Sequence, residues 1–402
     1  MIIVGGTYSE ICFEPIWENI FGSGFRAANL ILESDYPHDV HYFTCADSET
    51  KAHLEYYQNL YPKLKIHTTN IFKSPAFRYD HPLQVPAIIP RLDLYKDINI
   101  SLSATGENIL AYGLLEADIK VEGKKVVYDP QSPVNPKLFS ANGSKAEELI
   151  IIINLTEARI LTGKKDIDEI KNFFFQTEKC KALVIKMGAR GALLYQDANK
   201  APDKIPVYKT DQVWSIGSGD IFSAFFAYSW FTGRSLLDSA SNASRATALY
   251  CNSKDLSIYE SFKTFSFQQL MIDKIPNEQV YLAGPFFTFA ERWLVNETFN
   301  ALKGFGLKIF SPFHHVGHGK AEDVVGKDLK GLDDSKVVLA IVDGLDSGTL
   351  FEAGYAIAQK KKVIAFVQNE NEESLKMLEG SHCIIERDFT SAVYKTFWAL
   401  AK

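Results

Sequence analysis

The sequence is poor in cysteine and has no cysteine pair with the spacing of a metal or redox motif. Its 402 residues contain 5 scattered cysteines, none in a Cys-x-x-Cys pair. This scarcity argues against a disulfide framework, a zinc site and thiol redox chemistry. It favours small buried apolar roles for the cysteines and a reducing compartment. We therefore expect a cytoplasmic protein.

Long apolar runs and blocks of like charge are also missing. No stretch approaches 18 consecutive apolar residues, and the opening segment Met1 to Gly6 lacks the basic start and the cleavage site of a signal peptide. The net charge of −6 comes from 43 basic and 49 acidic residues without a long block of either sign. These absences argue against a membrane span and against a nucleic-acid or anionic-membrane partner.

The composition that is present is typical of a globular protein with more than one core. Hydrophobic residues make up 46% of the chain, and a single core stops growing at roughly 250 to 300 residues. Short apolar runs alternate with helical patterns, as at Ile2 to Val4, Val40 to Phe43 and Leu149 to Ile153. This alternation predicts an α/β fold with a mostly parallel sheet covered by helices.

The apolar rhythm weakens into a polar stretch and then restarts. The weak segment runs from about Asn252 to Gln279, and a new strand pattern begins at Val280. We therefore predict a first domain at 1–265, a linker at 266–278 and a second, smaller α/β domain at 279–402.

A glycine-rich turn in the first domain predicts a phosphate site. Gly217, Ser218, Gly219 and Asp220 precede an apolar run that fits a long buried helix. Unpaired N–H groups and the dipole at a helix N-terminus attract phosphate, and glycine lets it approach closely. The first three residues could therefore form an anion hole, and Asp220 could accept a proton from an attacking hydroxyl. The alternative is that Asp220 is an ordinary helix cap.

Two further motifs precede this turn, each after an apolar strand. They are the run from Asn154 to Gly163 and the run from Lys186 to Gly191. In this order the motifs resemble the PfkB family of carbohydrate kinases, over roughly residues 1–265. The resemblance implies a ribokinase-like α/β fold, ATP and Mg²⁺ as cofactors, and a sugar or nucleoside hydroxyl as acceptor. It assigns Asp220 as the base.

The resemblance also implies roles for residues around the turn. Asn154 and Glu157 would place Mg²⁺ and the ATP phosphates, with Glu157 acting on the metal indirectly. On the acceptor side, Glu10 and Arg26 stand where family members bind sugar hydroxyls. The remaining residues assigned to the ATP site are Lys186, Gly188, Gly191, Gly217, Ser218 and Gly219. Trp214 and Ile216 depart from the family's pattern, which leaves a domain without turnover as an alternative.

Clustered carboxylates mark the second domain. Asp346 and Glu352 follow the buried strand pattern of Val337 to Val342, so both fall at a strand's carboxyl end, where open α/β sheets bind ligands. We expect Asp328 to open or precede the helix that leads into this strand. Paired carboxylates suit glycosidic chemistry. Alternatively, Asp346 caps a helix and Glu352 is solvated, but the apolar neighbours of Glu352 make an unpaired charge there costly.

This segment resembles the nucleoside 2-deoxyribosyltransferases over roughly residues 279–402. The resemblance implies a flavodoxin/Rossmann-like parallel-sheet domain that needs no cofactor and assembles as a homo-oligomer. It assigns Glu352 to attack the anomeric carbon, Tyr281 to orient Glu352, Asp328 to handle the base and its proton, and Asp346 to bind the 5′-hydroxyl. Other substrate-binding residues are Gly284, Phe287, Ser347 and Gly348.

A carboxylate at Asp346 repels phosphate, so the expected substrate is a nucleoside with an unphosphorylated 5′ end. A histidine-rich segment nearby, with His314, His315 and His318, could suggest a metal, but its loose spacing favours a polar pocket loop.

Together the two domains predict a bifunctional enzyme for small-molecule nucleosides or sugars. The second domain would cleave or transfer an N-glycosidic bond, and the first would phosphorylate a sugar or nucleoside with Mg-ATP. The alternative is a nucleoside N-glycosidase regulated by a non-catalytic, kinase-like sensor domain.

Overall fold

A computed structural model describes residues 1–95, 100–132 and 135–401. The chain divides into two compact units. The first comprises residues 1–210 and 214–271, and the second comprises residues 211–213 and 272–402.

The first unit contains most of the strands. Its elements in chain order are β1 (Ile2–Val4), β2 (Ser9–Cys12), β3 (Trp17–Ile20), α1 (Gly22–Leu32), β4 (Val40–Ala46), α2 (Ser48–Leu60), β5 (Leu64–Asn70), β6 (Ala76–Tyr79), β7 (Ala87–Ile89), β8 (Ser101–Tyr112), β9 (Asp118–Asp129), β10 (Lys145–Asn154), α3 (Leu155–Thr162), α4 (Ile167–Phe173), β11 (Ala182–Lys186), β12 (Ala192–Tyr195), β13 (Asp203–Ile205), β14 (Val207–Tyr208), α5 (Ser218–Phe231), α6 (Leu236–Ser253), α7 (Tyr259–Lys263) and β15 (Gln269–Leu270).

A large mixed sheet forms the centre of this unit. Within the described residues its strand order is β13-β12-β11-β10-β9-β8-β1-β4-β5. The strands from β11 to β5 in this order are parallel, whereas β12 and β13 are antiparallel at one edge. Central strands such as Leu149 to Ile153 are buried, as expected for parallel strands covered on both faces. The predicted α/β class is confirmed.

A second, smaller sheet of this unit carries one of the predicted acceptor residues. Its order is β3-β2-β6-β7, and Glu10 lies on β2. These strands are short and partly exposed, so their apolar alternation is weak in the sequence. Residues 269–270, in the segment predicted as a linker, form β15, which pairs with β14.

The second unit is a smaller α/β layer. Its elements are β16 (Gln279–Ala283), α8 (Phe289–Gly304), β17 (Lys308–Phe310), α9 (Pro312–His315), α10 (Ala321–Asp333), β18 (Ser335–Ile341), α11 (Ser347–Ala358), β19 (Lys362–Phe366), α12 (Glu372–Gly380), β20 (Ile384–Glu386) and α13 (Phe389–Leu400).

All strands of its sheet are parallel, in the order β17-β16-β18-β19-β20. Numbered within the unit this is 2-1-3-4-5, the order of flavodoxin-like sheets, in which ligands bind beside the carboxyl ends of the first and third strands. Those ends are here the ends of β16 and β18. The predicted smaller parallel-sheet domain is confirmed. Among the helices that the structure describes, none is long and apolar enough to cross a membrane.

Candidate active sites

A tyrosine and a glutamate form the centre of the second unit's site. The Tyr281 hydroxyl, on β16, donates to Oε1 of Glu352 at 2.5 Å. The tyrosine is fully buried and its ring stacks on Phe310 with centroids 5.6 Å apart. Glu352 lies in the second turn of α11. A buried ring that is packed and bonded in this way fixes the orientation of the carboxylate.

The environment of Glu352 favours its neutral form. Burial raises its pKa from 4.5 to about 7, and the charges of Asp328 and Asp346 act in the same direction, while the Tyr281 hydrogen bond opposes them. Burial also raises the pKa of Asp328, and its buried Oδ1 has no hydrogen-bond partner among the described residues. Closely spaced carboxylates that resist ionisation are typical of acid–base and nucleophilic sites.

The location of Asp328 corrects one sequence expectation. It does not open or precede a helix but lies inside α10, at its eighth residue. Helix α10 begins at Ala321, seven residues before Asp328. Its first residues, Ala321 to Asp323, are exposed and mostly charged, so the sequence gives no apolar signal for this start. The helix packs against α11, which carries Glu352.

Asp346 serves as the N-cap of α11. Its Oδ2 accepts from the backbone N–H of Thr349 at 2.8 Å and from the Thr349 hydroxyl at 3.0 Å. The capping role that the sequence left open is therefore present, and it fixes the side chain at the carboxyl edge of the sheet. Ser347 begins the helix, and a Cβ added at Gly348 would approach Oδ2 of Asp346 at 3.1 Å.

Aromatic side chains follow β16 and β17. The rings of Phe286 and Phe287 stack at 5.6 Å, and Phe286 also packs against Phe313 at 5.4 Å and His318 at 5.2 Å. Phe287 is 64% exposed. Gly284 is closely packed, because an added Cβ would lie 3.2 Å from the Cβ of Ile341. Sequence reasoning missed Phe286 and Phe313, although both stand directly after strand patterns.

The histidines of this loop are fixed by local contacts. His314 bonds through its ring nitrogens to Ser311 and Asn296, at 3.0 and 2.8 Å, and stacks on Phe299. His315 bonds to the backbone of Ser311. In the parts of the chain that the structure describes, no group of three or more His, Cys, Asp or Glu side chains could hold a metal ion.

The raised pKa of Glu352 predicts how stability depends on pH. Its pKa of about 7 exceeds its ordinary value of 4.5, so the folded chain keeps a proton that the unfolded chain releases. This group therefore lowers the free energy of unfolding as pH rises from about 4.5 to about 7. We expect Glu352→Gln to raise that free energy by about 1 to 3 kcal/mol above pH 7 and to change it little near pH 4.

Urea unfolding at several pH values measures this difference. The control is Glu379→Gln, at an exposed position of α12, which should leave the pH dependence as in the wild type. A constant difference between wild type and Glu352→Gln over the whole pH range would contradict the assignment.

The glycine turn of the first unit begins α5 as the sequence predicts. Gly217 is the N-cap, with a left-handed backbone at φ 76° that favours glycine. Asp220 lies in the first turn but does not cap the helix. Ser218 donates its N–H and its hydroxyl to the Ser215 carbonyl, at 3.1 and 2.8 Å. These two donors of the predicted anion hole are therefore already used within the turn.

The carboxylate of Asp220 is bound by two side chains. Oδ2 accepts from the Arg26 guanidinium at 2.5 Å, and Oδ1 accepts from the Gln131 amide. Arg26 is fully buried and also pairs with Glu10. Glu10 in turn accepts from the Gly22 N–H at 3.0 Å. The structure thus brings together the predicted base and both predicted acceptor residues, as one internal ion cluster.

A second ion pair lies on the predicted nucleotide side. The Lys186 ammonium donates to Asp129 Oδ2 at 2.6 Å, and that oxygen also accepts from Ser223 at 2.6 Å. A Cβ added at Gly219 would lie 3.2 Å from the Lys186 ammonium, so this cation lies beside the start of α5. Such an arrangement fits a phosphate group.

Asn154 and Glu157 form a capping box at the start of α3. The Asn154 side chain accepts from the Glu157 N–H at 2.8 Å, and the Glu157 carboxylate accepts from the Asn154 N–H at 3.2 Å. Burial, followed by the charge of Asp129, raises the pKa of Glu157 to about 7. The buried Oδ1 of Asp129 has no hydrogen-bond partner in the part of the chain that the structure describes. Two neighbouring carboxylates of this kind fit Mg²⁺, which prefers oxygen ligands.

The other predicted nucleotide-site glycines build a turn. Gly188 and Gly191 lie between the antiparallel strands β11 and β12, with φ of 58° and 84°. A Cβ added at Gly191 would overlap the carbonyl oxygen of Ile205. Their conformations account for glycine at both positions.

Sequence reasoning missed Asp129 and Gln131. Both stand at the end of β9, directly after the apolar run Val126 to Tyr128. The rule that ligands gather at the carboxyl ends of parallel strands could have found them.

The two family resemblances are confirmed. Residues 119–260 match the family model of the pfkB family of carbohydrate kinases, and residues 280–386 match that of the nucleoside 2-deoxyribosyltransferases. Both are families of enzymes. The second match spans Tyr281, Asp328, Asp346 and Glu352, and the first spans Asp220 but neither Glu10 nor Arg26.

This chain is similar to a protein found by sequence comparison and to several solved structures. An uncharacterized protein of Ureaplasma parvum serovar 3 is 28% identical over 141 residues, covering 28% of this chain and 89% of its own. Among solved structures, ribokinase from Thermotoga maritima is 15% identical with a TM-score of 0.46, covering 66% of this chain and 98% of its own. Aminoimidazole riboside kinase from Salmonella enterica is 13% identical with a TM-score of 0.49, covering 66% and 99%.

Proposed function

We propose that the second unit cleaves or transfers the N-glycosidic bond of a nucleoside or deoxynucleoside, with Glu352 as the nucleophile. The observation that carries this proposal is the 2.5 Å hydrogen bond by which buried Tyr281 orients the Glu352 carboxylate. The match to the nucleoside 2-deoxyribosyltransferases supports the substrate class. The proposed reaction is carried by side chains of this unit, without a metal or cofactor.

The chemistry divides into two displacements. The ionised Glu352 carboxylate attacks the anomeric carbon, and the bond from that carbon to the base nitrogen breaks. The electron pair goes to the departing nitrogen, which takes the proton of Asp328. Water or a second base then attacks the same carbon and gives its proton to the Asp328 carboxylate. The bond from the carbon to Glu352 breaks, and its electron pair returns Glu352 to the carboxylate form. Tyr281 donates to the carboxylate before the attack and again when it leaves.

Asp346 sets the preference at the 5′ end of the sugar. Both of its bonds within α11 fall on Oδ2, which leaves Oδ1 to accept from a 5′-hydroxyl. A carboxylate here repels a 5′-phosphate. The substrate is therefore a free nucleoside rather than a nucleotide.

Asp346→Ser is expected to shift this preference by about tenfold or more toward 5′-phosphorylated substrates. Serine is also a good N-cap, so α11 keeps its start while the charge repulsion, worth at least about 1.4 kcal/mol, is lost. The ratio of kcat/KM for a nucleoside and its 5′-monophosphate measures the shift. Asn371→Ser, the matched N-cap change on α12, should leave the ratio unchanged. An unchanged ratio in Asp346→Ser would contradict the role.

A nucleoside panel tests the proposal directly. The full chain is incubated with ribo- and deoxyribonucleosides, with and without a second free base, and the products are separated by chromatography. Release of free base or formation of a new nucleoside supports the proposal. If no member of the panel loses its base, the proposal is wrong.

The first unit has two candidate functions. In one, it phosphorylates a sugar or nucleoside hydroxyl. ATP would lie against the backbone of Gly217 and Gly219 and beside Lys186, with Mg²⁺ near Glu157, and would supply the phosphoryl group. Asp220 would accept the hydroxyl proton. In the other, the unit is a non-catalytic ligand sensor that regulates the second unit. The ion pair between Arg26 and Asp220 favours the second candidate.

A further inference from the structure

We propose that the first unit has closed its own acceptor site, with Arg26 occupying the place where an acceptor hydroxyl would meet Asp220. The inference deepens the sensor alternative above and is independent of the Glu352 chemistry. It makes the first unit a module that does not transfer phosphoryl groups to sugars or nucleosides.

The contacts of Asp220 carry the first step. A general base needs a carboxylate oxygen directed at the proton that it removes. Here Oδ2 is held by the Arg26 guanidinium and Oδ1 by the Gln131 amide. Asp220 as a whole is 7% exposed. Both oxygens are thus engaged by side chains of the same unit.

The position of the guanidinium carries the second step. A Cβ added at Gly217 would overlap the guanidinium carbon and nitrogens of Arg26, so this group lies directly against the turn that begins α5. Arg26 has no exposed surface. The space between the turn and Asp220, which an acceptor hydroxyl would have to enter, is therefore filled.

The Arg26 guanidinium is paired with two carboxylates, one on each side. Arg26 pairs with Asp220 through Nη1 and with Glu10 through Nη2, and the side chain of Glu10 is 6% exposed. Burial raises the pKa of Glu10, and the charge of Arg26 opposes that rise. Breaking a buried pair leaves an uncompensated charge, which is costly. Moving Arg26 away to open the acceptor site would therefore leave both Glu10 and Asp220 without their cationic partner.

A second buried contact, between Tyr8 and Glu116, lies near the start of α1, the helix that carries Arg26. The Tyr8 hydroxyl donates to Glu116 Oε2 at 2.8 Å, and these residues are 7% and 1% exposed. A Cβ added at Gly6 would overlap the Tyr8 ring, and one added at Gly22 would lie 2.8 Å from the Tyr8 backbone nitrogen. Tyr8 thus packs beside the start of α1, the helix that carries Arg26.

A double-mutant cycle on the full chain tests the inference without knowledge of any ligand. Asp220→Asn should lower the melting temperature of the first unit, by about 5 °C or more, because it breaks a buried ion pair. In an Arg26→Met background the same change should raise the melting temperature, because it removes a carboxylate that has lost its partner. This reversal of sign is the expected result.

The matched control is Asp238→Asn. Asp238 is the third residue of α6, as Asp220 is of α5, so both changes alter the helix dipole interaction alike. Its effect should be the same in both backgrounds. If Arg26→Met does not fold, Asp220→Asn alone decides: a lower melting temperature supports the inference, and an unchanged or higher one overturns it.

A phosphoryl-transfer assay gives a second, independent readout. Wild type and Asp220→Asn are incubated with Mg-ATP and a panel of sugars and nucleosides, and acceptor-dependent formation of ADP is measured. If neither protein forms ADP in an acceptor-dependent way above background, the inference is supported. An acceptor-dependent rate in the wild type would overturn it. Because neither readout involves the second unit, failure of this inference and failure of the Glu352 proposal are distinguishable.

Discussion

Glu352→Gln is expected to lower the rate of base release by at least about a thousandfold, because a neutral amide cannot attack the anomeric carbon. Glutamine keeps the size of the side chain and can still accept the Tyr281 hydrogen bond. The loss should therefore appear in kcat, with a smaller change in KM. Steady-state rates of free-base formation from the preferred nucleoside measure it.

The control for this change is Glu379→Gln on the exposed face of α12. It removes the same charge from the same unit without touching the site and should leave kcat within about twofold of wild type. If Glu352→Gln kept a tenth or more of the wild-type rate, Glu352 would not be the nucleophile.

Asp328→Asn is expected to slow base release by about a hundredfold or more, the usual size of a general acid's contribution. Within the described ranges of the chain, the buried Oδ1 of Asp328 has no hydrogen-bond partner, and burial raises the pKa of this carboxyl. Both features suit a group that keeps its proton until the departing base nitrogen takes it. Asparagine retains the shape but has no proton to give.

The leaving group provides the sharper test of this role. A glycoside whose leaving group is stable as an anion needs no protonation, so Asp328→Asn should slow its cleavage far less than that of a nucleoside. An equal loss with both substrates would show that Asp328 supports the structure of the site instead of donating a proton.

Much of the fold could be predicted from the sequence because its central strands are continuous apolar runs. The pattern at Ile2 to Val4 coincides with β1, and the pattern at Val40 to Phe43 marks the beginning of β4, which continues to Ala46. Strands buried on both faces are largely apolar, which makes such patterns visible. The small sheet of β2, β3, β6 and β7 escaped prediction because its strands contain partly or fully exposed positions and therefore lack a continuous apolar run.

The two sites differ in how much of their geometry could be predicted from the sequence. The contact between Tyr281 and Glu352 joins the middle of β16 to the second turn of α11. Parallel-sheet topology brings the carboxyl ends of strands and the starts of the following helices to one edge of the sheet. The pairing of Arg26 with Asp220 joins residues 194 positions apart. Both side chains were expected to face a ligand, and only three-dimensional packing reveals that they face each other.

The most direct test of the central claim is mass spectrometry of the protein during turnover. The full chain is mixed with its nucleoside, quenched rapidly in acid and digested, and the peptides are searched for an added glycosyl group. The account predicts a sugar ester on Glu352 that is absent from Glu352→Gln and disappears when water or a second base is given time to react. Release of base with no adduct on Glu352, or with the sugar on another residue, would contradict it.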